Sequence, residues 1–273
     1  MFNFRSDRGR QLTEVFASDD FGGVANFELI PGVKMVTMTE YKEGLPVTVL
    51  YEHEMLRDTL AEWLSKKGLT QYHTAETEKY PHVTFFFNGR REEPWPGESR
   101  KMIASPKVKT YDLRPEMSAN ALTVATLERL EKYDDDFVLV NFANADLVGH
   151  SGNLEATIKA VEVVDRCVGM LVEKMVEKGG AVIVTADHGN CERMVDEVTG
   201  EAQTSHTVGP VPLWVMSREY YFDLVTYGKL ADVAPTVLDL LGIGKPEVMT
   251  GESLIRGVRM RVANSKINDK IGL

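Results

Sequence analysis

The sequence is poor in cysteine: Cys167 and Cys191 are the only two among 273 residues, and they do not form a CxxC pair. Two isolated cysteines are too few for a disulfide framework and predict reduced thiols, as is typical of a cytoplasmic protein. Long apolar runs are lacking, and the amino terminus does not show the charged-then-apolar pattern of a secretory signal. We therefore expect neither a membrane span nor export.

An excess of positive charge is lacking as well. The net charge is −10 at pH 7, and no cluster of Lys and Arg offers a surface that could follow a phosphate backbone. We therefore expect no nucleic-acid partner. What the chain does have is the composition of a globular protein and enough length for one large α/β domain, or for one domain and part of another.

The most informative stretch is the apolar run at residues 181–185, which leads directly into Asp187, His188 and Gly189. Small and β-branched residues in a short run predict a buried parallel strand, and doubly wound sheets place their chemistry at the carboxyl ends of such strands. Because Gly189 lets the backbone bend, Asp187 and His188 can both reach one ion. The alternative is a turn in which Asp187 caps the loop and His188 is solvated.

A second strand is predicted at 137–142, and Asp146 and His150 lie in the loop after it. Asn153 is placed to cap a long helix that leads to the strand predicted at 181–185. Strand, helix and strand predict a parallel unit with a right-handed crossover. The predicted buried stripe of the helix consists of Ile158, Val161, Val164, Val168, Leu171 and Met175.

The carboxyl ends of neighbouring parallel strands lie on one rim, so Asp146 and His150 are expected to meet Asp187 and His188. His206, in the TSHT stretch before another predicted strand, adds a fifth ligand-type side chain. Two carboxylates and three imidazoles exceed the needs of one catalytic ion, so two ions are predicted, an arrangement suited to phosphoryl displacement. Mixed oxygen and imidazole ligands suit Mn, Zn, Fe or Co, and the ligand types leave that choice open.

Three basic side chains are candidate ligands for an anionic substrate. Arg5 and Arg8 share one face if a helix begins there, and Lys79 lies in a polar loop. Guanidinium groups in that position can grip an anion with two parallel hydrogen bonds. A solvated surface charge is the plainer interpretation of each. The histidines away from the rim are interpreted as structural or surface residues: His53, His73 and His82.

The wider organisation follows from turn signals. A turn-rich region before a short predicted strand at 45–50 indicates a domain boundary near residue 50. The tail at 230–242 predicts an apolar helix with a glycine stop that covers one face of the sheet. The fold class expected is α/β, with a doubly wound, mostly parallel sheet and helices on both faces.

With these motifs in view, the chain closely resembles the carboxyl-terminal half of the 2,3-bisphosphoglycerate-independent phosphoglycerate mutases, members of the alkaline phosphatase superfamily. The resemblance runs nearly end to end through FNFRSDRGRQL, AETEKYPHVTFFFNG, SPKVKTYDLRPEMSA, NFANADLVGHSGNLEATIKAVEVVD, TADHGN, TSHT and LADVAPTVLDLLG. It implies that residues 1–50 are the end of an inserted transferase domain. Residues 51–273 would form a phosphatase domain of alkaline-phosphatase type without its amino-terminal part.

The resemblance also implies a reaction and a metal site. The family interconverts 3-phosphoglycerate and 2-phosphoglycerate through a covalent phosphoserine. One Mn²⁺ would be held by Asp146, His150 and His206, and a second by Asp187 and His188.

The implied substrate ligands are Arg5, Arg8 and Lys79. The family's nucleophilic serine and a further metal-binding aspartate lie upstream of the FNFR motif, so we expect an incomplete enzyme that needs an amino-terminal half. Ser151 does not stand at the nucleophile's place, and Arg90 stands where the family usually has glycine. No catalytic serine is therefore assigned in this chain.

Two other functions stay open. In a metal-dependent phosphohydrolase, water would replace the serine, and a glycerate clamp of Arg5, Arg8 and Lys79 would be less needed. A non-catalytic metal-binding fragment is the third possibility.

Overall fold

The computed structural model describes residues 1, 3, 6–18, 32–52 and 56–261. Backbone contacts divide the chain into two compact units, Met1–Leu56 and Arg57–Leu273. The division falls shortly after the predicted boundary near residue 50. The assignment of the two parts to a transferase and a phosphatase domain stays a prediction.

The described residues of the first unit form one helix and a two-stranded sheet. Its elements are α1 (Ser6–Ala17), β1 (Val36–Thr39) and β2 (Thr48–Tyr51), and the two strands are parallel. Buried Tyr41 packs against Gly9 of α1, where an added Cβ would lie 2.8 Å from the Tyr41 ring. Only glycine therefore permits this close approach.

The second unit alternates strands and helices. Its helices are α2 (Leu60–Lys66), α3 (Tyr80–Val83), α4 (Ala119–Lys132), α5 (Asn144–Gly149), α6 (Leu154–Glu177) and α7 (Val233–Leu240). Its strands are β3 (Gln71–Glu76), β4 (Glu98–Ile103), β5 (Phe137–Asn141), β6 (Ala181–Thr185), β7 (Leu213–Ser217), β8 (Tyr220–Leu224) and β9 (Ile255–Met260).

Three parallel strands form a sheet in the order β4-β3-β5, which confirms the α/β class with parallel pairing. In this register Ala75 of the central strand lies between Met102 of β4 and Asn141 of β5. All residues of β3 are buried, as expected for a central strand covered on both faces. The carboxyl ends of β3 and β5 therefore lie at the same edge.

The tail helix covers part of this sheet, as predicted. Leu238 of α7 is fully buried against Leu60 and Leu64 of α2, and Phe137 of β5 packs against the same cluster. The glycine stop is confirmed too, because Gly242 follows the helix with a left-handed φ of 68°, a conformation that glycine adopts without steric cost.

The prediction that β6 is a buried strand with parallel pairing is wrong. β6 pairs antiparallel with β7, and within the described ranges β5 and β6 belong to separate sheets. The residues of β6 are partly or largely exposed. β6 has the apolar composition of a strand that is buried on both faces. One of its edges, however, has no neighbouring strand among the described residues.

The predicted stripe of α6 is also wrong in part. Asn153 caps the helix as expected, since its side chain accepts from the Ala156 N–H at 3.1 Å. Ile158 and Val161, however, are 50% and 42% exposed. The helix packs against α4 and α5, and its buried residues are Ala156, Thr157, Ala160 and Cys167. Small side chains allow the close approach, which leaves larger apolar residues uncovered.

No helix within the described ranges is both long and apolar enough to cross a membrane. Cys167 and Cys191 are free thiols. His73 is confirmed as a structural residue, because it is buried and contacts Val83 O and Glu98. His82 is exposed on α3, and His53 lies outside the described residues.

Candidate metal centre

Lys79, Asp146 and His150 are placed by the carboxyl ends of two parallel strands. Lys79 follows β3, where its N–H donates to Glu76 O at 2.9 Å and turns the chain over the sheet edge. Asp146 lies on α5, directly after β5, and His150 caps the carboxyl end of that helix. Their spacing of four residues puts both side chains on one face of that helix.

Asp187, His188 and His206 come from loops around β6 and β7. Gly189 pairs with Thr207 in an isolated bridge, which brings the His206 loop beside His188. A Cβ on Gly189 would lie 2.2 Å from Thr207 Oγ1. Glycine is therefore required for the two loops to meet.

The carboxylate of Asp146 is the centre of the cluster, and its two oxygens have different partners. Oδ2 lies 2.5 Å from Lys79 Nζ. Oδ1 lies 3.0 Å from His206 Nε2 and 3.1 Å from His150 Nε2. The side chains of Asp146 and Lys79 are only 13% and 9% exposed, so this ion pair is well shielded from water.

The imidazoles turn their Nε2 atoms towards one another. His150 Nδ1 lies 2.7 Å from Thr204 O, which only accepts, so the proton of the neutral ring is on Nδ1 and Nε2 offers a lone pair. His150 Nε2 and His206 Nε2 are 3.1 Å apart. The His188 ring stacks on His206 with centroids 3.7 Å apart, and His188 Nε2 lies 3.9 Å from Asp146 Oδ1.

The pKa of Asp146 reflects opposing influences. Burial alone raises it, but the Lys79 hydrogen bond and charge lower it, and the charges of His150 and His188 lower it further, to about 2. Asp146 is therefore ionised throughout the neutral range.

A carboxylate oxygen and several imidazole nitrogens that converge on one point can together bind a cation, and the lone pair of His150 Nε2 is directed at that point. The ligand atoms of Asp146, His188 and His206 all lie within 4.8 Å of one another, and His150 Nε2 joins them at the distances above. Oxygen and imidazole donors are those of divalent transition metals. The residues present therefore fit a divalent metal ion.

The sequence matches the Metalloenzyme superfamily over residues 17–245. The chain belongs to this superfamily. It is 50% identical over 259 residues to 2,3-bisphosphoglycerate-independent phosphoglycerate mutase 1 of Methanosarcina acetivorans, covering 93% of this chain and 49% of that protein. It is 46% identical over 280 residues to the mutase of a Nostoc species, covering 100% of this chain and 52% of that protein.

A solved structure of Leishmania mexicana phosphoglycerate mutase, described as obtained at low cobalt concentration, matches with a TM-score of 0.80 and 32% identity. The match covers 93% of this chain and 49% of that structure. The resemblance to the mutases and the fold class are thereby confirmed. The chain spans about half the length of the curated relatives it matches.

Not every residue predicted for the site lies in the cluster around Asp146. Asp187 is adjacent, with Oδ1 3.7 Å from His188 Nε2, but its side chain is 63% exposed. Arg5 lies outside the described residues. The backbone of Arg8 is described, as part of α1, but its side chain is not. Ser151 donates its hydroxyl to Val148 O at 2.6 Å, which agrees with leaving it out as a nucleophile.

Two polar residues beside the ligands were missed from sequence. Glu192 accepts from the Asn190 N–H at 2.7 Å and from the Thr207 hydroxyl, so it ties the loop after β6 to the His206 loop. Asn190 donates to Asp146. The signal was available, since both lie within four residues of His188 in the sequence, and metal ligands are usually oriented by hydrogen-bonded neighbours.

Proposed function

We propose that this chain is the metal-binding part of a 2,3-bisphosphoglycerate-independent phosphoglycerate mutase, which interconverts 3-phosphoglycerate and 2-phosphoglycerate through a phosphoserine. The observation that carries the proposal is the Asp146 carboxylate, with imidazole nitrogens at one oxygen and a buried lysine at the other. Such a site can place positive charge around a transferring phosphoryl group. The similarity to named mutases supports this over other metal-dependent reactions.

The proposed cofactor is a pair of Mn²⁺ ions. Asp146, His150 and His206 would hold one, and Asp187 and His188 the other. The exposure of Asp187 and the position of His188 between the two carboxylates support a second, more open position. When bound, the ions would supply Lewis acidity at the phosphoryl oxygens and activate an attacking hydroxyl.

The proposed substrate is phosphoglycerate, bound by Arg5, Arg8 and Lys79. The described part of this set is Lys79, whose ammonium is held at the edge of the metal cluster by Asp146. In this proposal residues 1–50 end a transferase domain and residues 51–273 form most of a phosphatase domain.

The proposed partner is the other half of the same enzyme, supplied by further residues or by a second polypeptide. β5 and β6 carry ligands at their carboxyl ends yet lie in separate sheets, and Ile158 and Val161 of α6 are uncovered. Exposed strand edges and apolar patches of this kind favour association. The proposed compartment is the cytoplasm, in agreement with the free thiols.

The test is complementation. The chain is coexpressed with the part of the Methanosarcina acetivorans mutase that it does not match, and conversion of 3-phosphoglycerate is measured with Mn²⁺. We expect turnover from the pair, none from the chain alone, and none when the chain carries His206→Ala.

Two results would replace the proposal. Mn²⁺-dependent release of phosphate by the chain alone, without mutase turnover in the pair, would identify a phosphohydrolase. Mn²⁺ binding with neither activity would identify a non-catalytic metal-binding fragment.

A further inference from the structure

A buried amide lies directly beside the Asp146 carboxylate. Asn190 is only 5% exposed, and its Nδ2 donates both to the backbone carbonyl of Asp146 at 3.2 Å and to Oδ1 of its side chain at 3.1 Å. The two bonds span the backbone and the tip of one residue. They therefore restrict the rotation that would carry Oδ1 away from the imidazoles.

The orientation of this amide is fixed by its surroundings. Turning it over would direct Asn190 Oδ1 at two acceptors of Asp146, the carbonyl and the carboxylate, so the donor must face Asp146. On the other side, Oδ1 lies against Gly149 of α5, where an added Cβ would be 2.4 Å away. Gly149 thus leaves room for the amide.

The acceptor side of the amide does not stabilise the fold. Its Oδ1 is buried and has no hydrogen-bond partner among the described residues, and an unpaired buried acceptor destabilises a fold. What sets Asn190 apart is therefore its donor side, which faces Asp146.

We propose that Asn190 is the positioning residue of the metal centre: it holds Asp146 Oδ1 at the point shared by the Nε2 atoms of His150 and His206. The inference rests on the proposed metal-binding function. It assigns Asn190 no contact with the metal, only control of the geometry of its ligand. The backbone of Asn190 is itself fixed by Glu192, so the amide has a rigid base.

The test uses Asn190→Leu in the full chain, since leucine has nearly the same branched shape and no donor. Co²⁺ is titrated into the metal-free chain and its visible absorption recorded, because the spectrum reports the coordination geometry. We expect the Co²⁺ affinity to fall roughly 10- to 100-fold, the range found for groups that orient metal ligands. We also expect an altered Co²⁺ spectrum.

A matched control is present in the same unit. Asn88 is likewise buried, its Nδ2 donates to the Glu98 carboxylate at 2.8 Å, and its Oδ1 also has no partner among the described residues. Glu98 begins β4, so it lies at the amino end of the parallel sheet, away from the site. Asn88→Leu should leave the Co²⁺ affinity and spectrum unchanged.

Two results would overturn the inference. If Asn190→Leu binds Co²⁺ as tightly as the unaltered chain and with the same spectrum, Asn190 does not position Asp146 while the metal site itself stands. If the unaltered chain binds no Co²⁺, the proposed metal site fails and the inference with it. Should the leucine variant not fold, Asn190→Ala takes its place in the same titration, with Asn88→Ala as control.

Discussion

Replacing Lys79 by methionine tests whether its ammonium compensates the charge of Asp146 while no metal is bound. Lys79→Met keeps a long, unbranched side chain and removes the ammonium that lies 2.5 Å from Asp146 Oδ2. The carboxylate would then be left among imidazoles and the Asn190 amide with little access to water. We expect the metal-free chain to lose stability at neutral pH.

The size of the loss follows from the pKa of Asp146. Burial raises that pKa, but the Lys79 bond and charge, with the nearby histidines, lower it from 3.8 to about 2, which corresponds to roughly 2 kcal/mol. Lys79 is named first among the groups that lower it, so its removal should cost about 2 kcal/mol at pH 7. A lowered carboxyl pKa stabilises the fold above pH 3.8, and this contribution disappears as the pH falls through 2.

The assay is urea unfolding followed by tryptophan fluorescence, with and without saturating Mn²⁺. The three tryptophans, Trp63, Trp95 and Trp214, all lie in the second unit, so the signal reports the unit that contains the site. A bound dication supplies the positive charge that the variant lacks. Mn²⁺ should therefore stabilise Lys79→Met more than it stabilises the unaltered chain, through the usual linkage of binding to unfolding.

The control is Lys66→Met. Lys66 makes an ion pair of similar length with Asp58, 2.6 Å, but its side chain is exposed, so no measurable change and no altered response to Mn²⁺ are expected. Equal stability of Lys79→Met and the unaltered chain, together with equal stabilisation by Mn²⁺, would refute the role given to Lys79.

Three further predictions concern single residues. His206→Ala removes one ligand of the cluster and should weaken Mn²⁺ binding by more than the roughly 100-fold limit of an orienting residue; calorimetric titration measures this, and unchanged affinity would contradict the assignment. Gly149→Ala should displace the Asn190 amide and lower Co²⁺ affinity, with Gly169→Ala, in open space on α6, as control. Burial raises the pKa of Glu98, but His73 and Arg100 lower it to about 2, so Glu98→Gln should destabilise the chain by about 3 kcal/mol at pH 7. Because that contribution is lost as the pH falls from 4.5 towards 2, the difference in urea midpoint should shrink at pH 3; an equal difference at both values would count against it.

The site was more predictable from sequence than the sheet around it. Asp146, His150 and His206 were placed together from the positions of predicted strand ends, and their Nε2 and Oδ1 atoms do converge. The pairing of β6 was not predicted correctly, because apolar composition indicates a buried strand but does not show which strands lie beside it. The same holds for α6, where periodicity marked Ile158 as buried although the helix contacts its neighbours through small residues.

The hydrogen bonds that orient the ligands could not be read from spacing, because they depend on side-chain direction across loops that are distant in sequence. Two hydrogen bonds, Asn190 to Asp146 and His150 to Thr204, join the end of β5 to the connection between β6 and β7. A third, from Thr207 to Glu192, joins two parts of that connection. These hydrogen bonds hold the ligand cluster together although β5 and β6 are not paired with each other. We therefore expect that the proposed metal binding can be measured on this chain directly. Mutase turnover, on our proposal, also requires a serine from the other half of the enzyme. Metal binding and turnover can therefore be measured separately, the first on this chain alone and the second only after the other half is added.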